Sequence, residues 1–178
     1  MIIENFKLID YLNQAPEVIE NYLIALRYVK GSETEQKIFN MKLKEVEMIR
    51  QNINSVNDID LIKIVAAVQK LDEKEVLDIT IIDFFKLLNG IKEQLNIIIK
   101  AEENAFAPHE INMKWEQVEG SQRMSKFGIY NTLESLSGGD ALKYKEYMEM
   151  EYSEIFTILL MRKTAADIQS DMSKIKNK

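Results

Sequence analysis

The sequence predicts an all-α fold: a compact multi-helix bundle of short helices with an internal helical repeat and a small extended insertion. Three observations lead there. Apolar residues recur three and four places apart along most of the chain, as one face of a helix requires. Only two prolines and six glycines interrupt 178 residues, so little breaks a helical backbone. Three segments also share one pattern: apolar, any, apolar or aromatic, any, acid, apolar, any, any, apolar. They read Met41, Leu43, Glu45, Val46, Ile49; then Ile79, Ile81, Asp83, Phe84, Leu87; then Met150, Tyr152, Glu154, Ile155, Ile158. A further apolar residue precedes each by three places, at Ile38, Val76 and Tyr147. An acid early in a helical apolar stripe marks a helix start, where it faces the positive end of the dipole. The last two copies lie much further apart than the first two, and the excess matches a segment of different composition at about residues 97 to 127.

Residues 1 to 12 carry Phe6, Leu8, Ile9 and Leu12 and fit either a short strand or a first helical turn. Pro16 suits a first helical position, and Val18, Ile19, Tyr22, Leu23 and Leu26 follow at helical spacing until Gly31 and Ser32. The first repeat helix should run from about Lys42. Asn52 to Asp60 reads as a loop with Asp58 as a cap, ahead of a helix from about Ile59 to Lys70. Asp72 and Glu75 have capping-box spacing. The second repeat helix follows from about Ile81, apolar on two faces and central to the core, with Gly90 as either a close helix contact or a weak point.

The pattern then divides the chain into an N-terminal helical region at 1–100 with two repeat copies and an extended insertion at 101–127. A C-terminal helical region at 128–172 carries the third copy, and a flexible tail follows at 173–178. Pro108 resists helix, and Ile111, Met113 and Trp115 alternate with polar residues as in a strand or extended arm. Gly138 and Gly139 break the chain before Asp140, which can cap the next short helix, and Ser153 is a cap candidate for the last one.

Charge and composition narrow the function classes. A net charge of -6 argues against a nucleic-acid binder. The absence of cysteine excludes disulfides and thiolate metal sites. Glu4 and Asp10 near the start argue against a secretory signal, and no apolar run is long enough to cross a bilayer. Residence in a cytoplasm is the expectation.

No motif for chemistry stands out. The sole histidine, His109, reads as a surface loop residue rather than a metal ligand or catalytic base. Gly138-Gly139-Asp140 lacks the lysine and hydroxyl residue of a phosphate loop and reads as a structural turn. Neither a nucleophile elbow nor a His-Glu-x-x-His pair occurs. The chain is therefore expected not to be an enzyme and to need no cofactor or metal. Trp115, with Met113 and Phe106, has the composition of an interface core; it either ties down the insertion or faces a partner. Arg123 and Lys126 can pair with Glu116 and Glu119 or reach that partner.

Trp115, then Lys126-Phe127-Gly128-Ile129-Tyr130-Asn131-Thr132-Leu133, then Leu136-Ser137-Gly138-Gly139-Asp140-Ala141-Leu142-Lys143-Tyr144 resembles small helical proteins of tailed bacteriophages. The likeness is to tail assembly chaperone-like and tail or neck structural proteins, and it spans residues 115 to 165. It implies a non-enzymatic assembly or virion component acting through protein contacts in tail or neck assembly. Phage structural or tail proteins would be its partners, with a homo-oligomer as a further option, in the host cytoplasm during assembly or in the particle. Phe106, Met113, Trp115, Arg123, Phe127 and Tyr130 are the expected partner-binding residues. A small helical regulatory or nucleic-acid-associated adaptor is the alternative; it would gather Lys63, Lys70, Lys74, Lys86 and Lys92 on one face.

Overall fold

The computed structural model of the chain describes residues 5–175. Glu4 and residues 176–178 of the expected tail lie outside the described residues. Among the described residues there are eleven α-helices and no strand. They are α1 (Leu8–Leu12), α2 (Pro16–Leu26), α3 (Leu43–Asn52), α4 (Asp58–Gln69), α5 (Glu73–Asp78) and α6 (Ile81–Phe106). After these come α7 (Met113–Gln117), α8 (Gly120–Ser125), α9 (Ile129–Ser137), α10 (Tyr144–Glu149) and α11 (Tyr152–Ile175). The chain divides into two units, Met1–Met41 with Glu45–Ile99, and Lys42–Lys44 with Lys100–Lys178.

The three repeat segments adopt one local geometry. In each, a short helical turn ends on a single extended residue, and the next helix starts two places later. The extended residues are Met41 (φ -80, ψ 162), Ile79 (φ -71, ψ 161) and Met150 (φ -75, ψ 153). The N–H of each donates to the carbonyl of the apolar residue three places upstream, Ile38 (3.0 Å), Val76 (3.4 Å) and Tyr147 (3.2 Å). The residue after each forms an isolated antiparallel bridge, Lys42 with Glu151 and Thr80 with Lys7. The first N–H groups of a helix have no partner inside it. At α1, α3 and α6 the first N–H finds one across the bridge. Leu8 N–H donates to Ile79 O (2.9 Å) and Ile81 N–H to Phe6 O (2.8 Å), while Leu43 N–H donates to Met150 O (2.9 Å).

The bridge to Lys7 exposes a fourth copy. Phe6, Leu8, Asp10 and Tyr11 hold the first positions of the pattern, but Gln14 stands where the last apolar residue belongs. The undecided start of the chain is thus a helix start, and the four copies pair two by two.

In the first unit, local signals and packing agree. Pro16 occupies the first turn of α2. Asp72 and Glu75 form both bonds of a capping box at α5 (2.8 Å each). Thr80 Oγ1 accepts from Asp83 N–H (3.1 Å) and caps α6. The cap of α4 is Asn57 rather than Asp58: its side chain accepts from Ile59 N–H (3.1 Å), and the helix begins one residue early. Ile38, Val46, Ile49, Ile64, Val65 and Ile91 are fully buried and anchor the core. Burying each such side chain contributes about 1.5–3 kcal/mol. Gly90 is a close contact. A Cβ there would lie 2.1 Å from Ser32 O, and one on Gly31 would lie 2.7 Å from Gly90 N, so two backbones meet at this pair.

The second unit departs from the expected extended insertion. Residues up to Phe106 finish α6, and α7 and α8 are helical; the strand-like alternation at Ile111, Met113 and Trp115 does not form a strand. Asn112 decides this locally, because its side chain accepts from Trp115 N–H (3.1 Å) and starts a helix in the middle of the alternation. Only 107–112 between α6 and α7 stays non-helical. The flexible tail expected from residue 173 is helical to Ile175, and Ser153 lies inside the first turn of α11 rather than capping it. Leu43, Leu133, Leu136, Tyr152 and Ile155 are buried in this unit. Around them, Tyr147 Oη donates to Leu136 O (2.9 Å), and Arg162 donates to the carbonyls of Ser135 and Leu136. Glu149 bridges Lys42 (2.8 Å) and Lys44 (2.5 Å), and these two bonds hold its carboxyl down at about 2.

Candidate functional site

The stretch 111–130 carries an unusual load of exposed apolar side chains. Asn112 sets the start of α7, and Gly120 sets how Trp115 lies. A Cβ on Gly120 would sit 2.3 Å from the indole, so only glycine lets the ring rest against the start of α8. Trp115 Nε1–H donates to Ser121 Oγ (3.3 Å), whose hydroxyl donates to Glu116 (2.5 Å). With one side held, the indole is still 44% exposed. Met113 (65%) and Tyr130 (61%) stand further out, and Phe127, Val118 and Ile111 are exposed as well.

The six expected partner-binding residues do not share one setting. Phe106 is half-buried and packs edge-on against Phe156 with ring centres 5.1 Å apart. Phe156 in turn lies 6.3 Å from Tyr152, whose hydroxyl donates to Glu102 (2.5 Å), so Phe106 belongs to an internal aromatic cluster of the second unit. Met113, Trp115, Phe127 and Tyr130 face solvent. Arg123 is exposed, and among the described residues neither it nor Lys126 has an ion-pair partner; the expected pairs with Glu116 and Glu119 do not form. Lys126 Nζ instead stands 5.3 Å over the Phe127 ring, an exposed cation–π contact. Tyr130 lies 6.3 Å from Tyr144, which donates to Glu134 (2.6 Å).

The glycine turn follows from backbone needs. Gly138 (φ 63) and Gly139 (φ 91) take left-handed conformations, and both donate to Glu134 O (3.0 and 3.4 Å) to close α9. Asp140 accepts from Leu142 N–H (3.1 Å) and starts the following turn. His109 lies at the surface, its Nε2 3.1 Å from Asp171 Oδ1. Lys174 meets Glu110 (2.8 Å), and this pair with the His109–Asp171 contact fastens the 107–112 link to α11; Lys174 also meets Asp171 (3.5 Å) within that helix. Both carboxyls are held below their ordinary range, Asp171 chiefly by the His109 bond and Glu110 by the Lys174 bond. Among the described residues no group of three or more His, Cys, Asp or Glu is placed to hold a metal ion.

A second feature, missed by sequence reading, lies in the first unit. A cavity of about 370 Å³ is lined by apolar side chains of α1, α2, α4 and α6, with Arg27, Lys92, Tyr11 and Asp58 among its polar groups. A second cavity of about 340 Å³ shares Ile53, Asn54 and Lys92 with it. Burial pushes the Tyr11 hydroxyl up to about 12, with the Asp58 charge adding to it, and burial also raises Asp58. Lys92 is lowered, first by burial and then by the charge of Arg27. The lining comes from segments far apart in sequence, so no local pattern signals it.

No helix among the described residues is long and apolar enough to cross a membrane. No protein family, curated protein or solved structure matches the chain.

Proposed function

We propose that this chain is a non-enzymatic docking protein whose second unit binds another protein through the exposed side chains of residues 111–130. One observation carries the reading. Met113, Trp115, Phe127 and Tyr130 remain in solvent although each is of a type that interfaces favour. Large apolar side chains left in water are candidates for interaction surfaces. Trp115 suits an anchor in particular, because Gly120 and Ser121 fix its ring before any partner arrives, which lowers the ordering cost of binding. Arg123 and Lys126, which follow it in the chain and have no ion-pair partner among the described residues, favour a partner with acidic groups at the rim of its surface.

The resemblance of residues 115–165 to phage tail assembly chaperone-like and tail or neck proteins supports a partner of that kind, a structural protein of a tailed phage. Site-specific photo-crosslinking tests this. A benzophenone side chain replaces Tyr130 in cells that express the chain from its own genome. The expected product is a crosslink to a tail or neck protein, absent when the probe replaces the exposed Glu35 of the first unit. Equal crosslinking from both positions, or crosslinks to unrelated proteins only, would overturn the proposal.

A further inference from the structure

We propose that the cavity of the first unit is a binding site for a small, single-headed anionic amphiphile, its tail among Leu23, Leu61, Phe84, Phe85 and Leu88 and its acid group at Arg27 and Lys92. The cavity volume, about 370 Å³, falls within the range of small-molecule sites, which are mostly apolar with a few placed polar groups. Two of those groups are cations with no acid to meet. Among the described residues neither Arg27 nor Lys92 has an ion-pair partner. They instead feel each other: the charge of Arg27 disfavours the charged form of Lys92. Two cations lining an apolar hollow without a counter-ion are stabilised by an anion that arrives with its own apolar portion.

Positions in the fold support the division into head and tail. Arg27 caps the C-terminal end of α2, and Lys92 projects from α6, the helix that also supplies Phe84, Phe85 and Leu88 to the wall. The acidic lining group is Asp58, which acts on Tyr11 and not on Lys92. The negative charge of Asp58, felt by the Tyr11 hydroxyl that already donates to Ile19 O (3.4 Å), makes that part of the wall hostile to a second anion. A ligand with one acid group therefore fits and one with an acid at each end does not. A carboxylate or a phosphate monoester on a medium-length alkyl chain has this chemistry.

Calorimetric titration of the full chain with decanoate, and separately with decanol, tests the site. Decanoate is expected to bind one to one and more tightly than decanol. The double variant Arg27→Gln, Lys92→Gln, with unchanged far-ultraviolet circular dichroism, is expected to weaken decanoate about tenfold or more, the loss of charge-assisted bonds, and to leave decanol unchanged. Decyl phosphate in place of decanoate separates a carboxylate preference from a general anion site; either result keeps the shared chemistry. Absence of decanoate binding below its micelle concentration, or equal decanoate affinity in the double variant, would overturn the proposal.

Discussion

Apolar residues at helical spacing are largely buried along α4 and α6 of the first unit and largely exposed along α7, α8 and α11 of the second. In the first, the stripe of α4 ends as buried Ile62, Ile64, Val65 and Val68, and that of α6 as Ile81, Phe84, Leu88 and Ile91. In the second, α7 and α8 have five and six residues, and their Met113, Trp115 and Met124 stay outside. Even α11, with 24 residues, buries only Tyr152 and Ile155 and leaves Met161, Ile168, Met172 and Ile175 exposed. A helix of one or two turns has little face to bury and little stability of its own. The same residue types thus supply cohesion along α4 and α6 and remain in solvent along α7, α8 and α11.

Substitution can break this contrast, beginning with the largest effect. Ile49→Ala removes a fully buried side chain of the first unit and should cost about 2–5 kcal/mol, read from the urea unfolding midpoint. Gly90→Ala should destabilise by about 1–3 kcal/mol, because the new Cβ meets the Ser32 carbonyl. Ordinary helix propensity has the opposite sign there, favouring alanine by about 1 kcal/mol, so a stabilised variant would refute the close backbone contact. The paired change Phe127→Ser, Tyr130→Ser in the second unit should move stability by no more than about 0.5 kcal/mol per site, as at exposed positions generally.

The smallest effect concerns Glu149. Its carboxyl is held at about 2 against an ordinary 4.5 by Lys42 and Lys44. A depressed acid contributes stability that is present above its unfolded value and lost as pH falls through the folded one. Between pH 4.5 and about 2 the native chain should therefore lose stability that the Glu149→Gln variant does not lose. The group is fully exposed, so added salt should shrink the difference. Unfolding midpoints across that pH range check both points.

The repeat could be read from residues because spacing and acid position report a helix start directly, and Asp72 with Glu75 announced its own cap. The fourth copy escaped because Gln14 ends its stripe and α1 is only five residues long. The 101–127 segment misled for a related reason. Helices as short as α7 and α8 contain too few turns to show a 3.6-residue period, so the alternation from Ile111 to Trp115 imitated a strand. Solvent exposure at Met113, Trp115 and Tyr130 cannot be read from type or spacing, since the same residues in longer helices would pack inward. Phe106 shows the converse: grouped with Trp115 by composition, it ends α6 and packs on Phe156.

If the exposed side chains of the second unit serve contact rather than cohesion, removing them should spare folding and abolish binding. The direct measurement uses one variant carrying Met113→Ser, Trp115→Ser, Phe127→Ser and Tyr130→Ser, assayed for its denaturation midpoint and for the complex with the partner identified by crosslinking. A cooperative unfolding transition close to that of the parent chain, and no complex, is the expected result. A chain that no longer folds, or one that folds and still forms the complex, would contradict it.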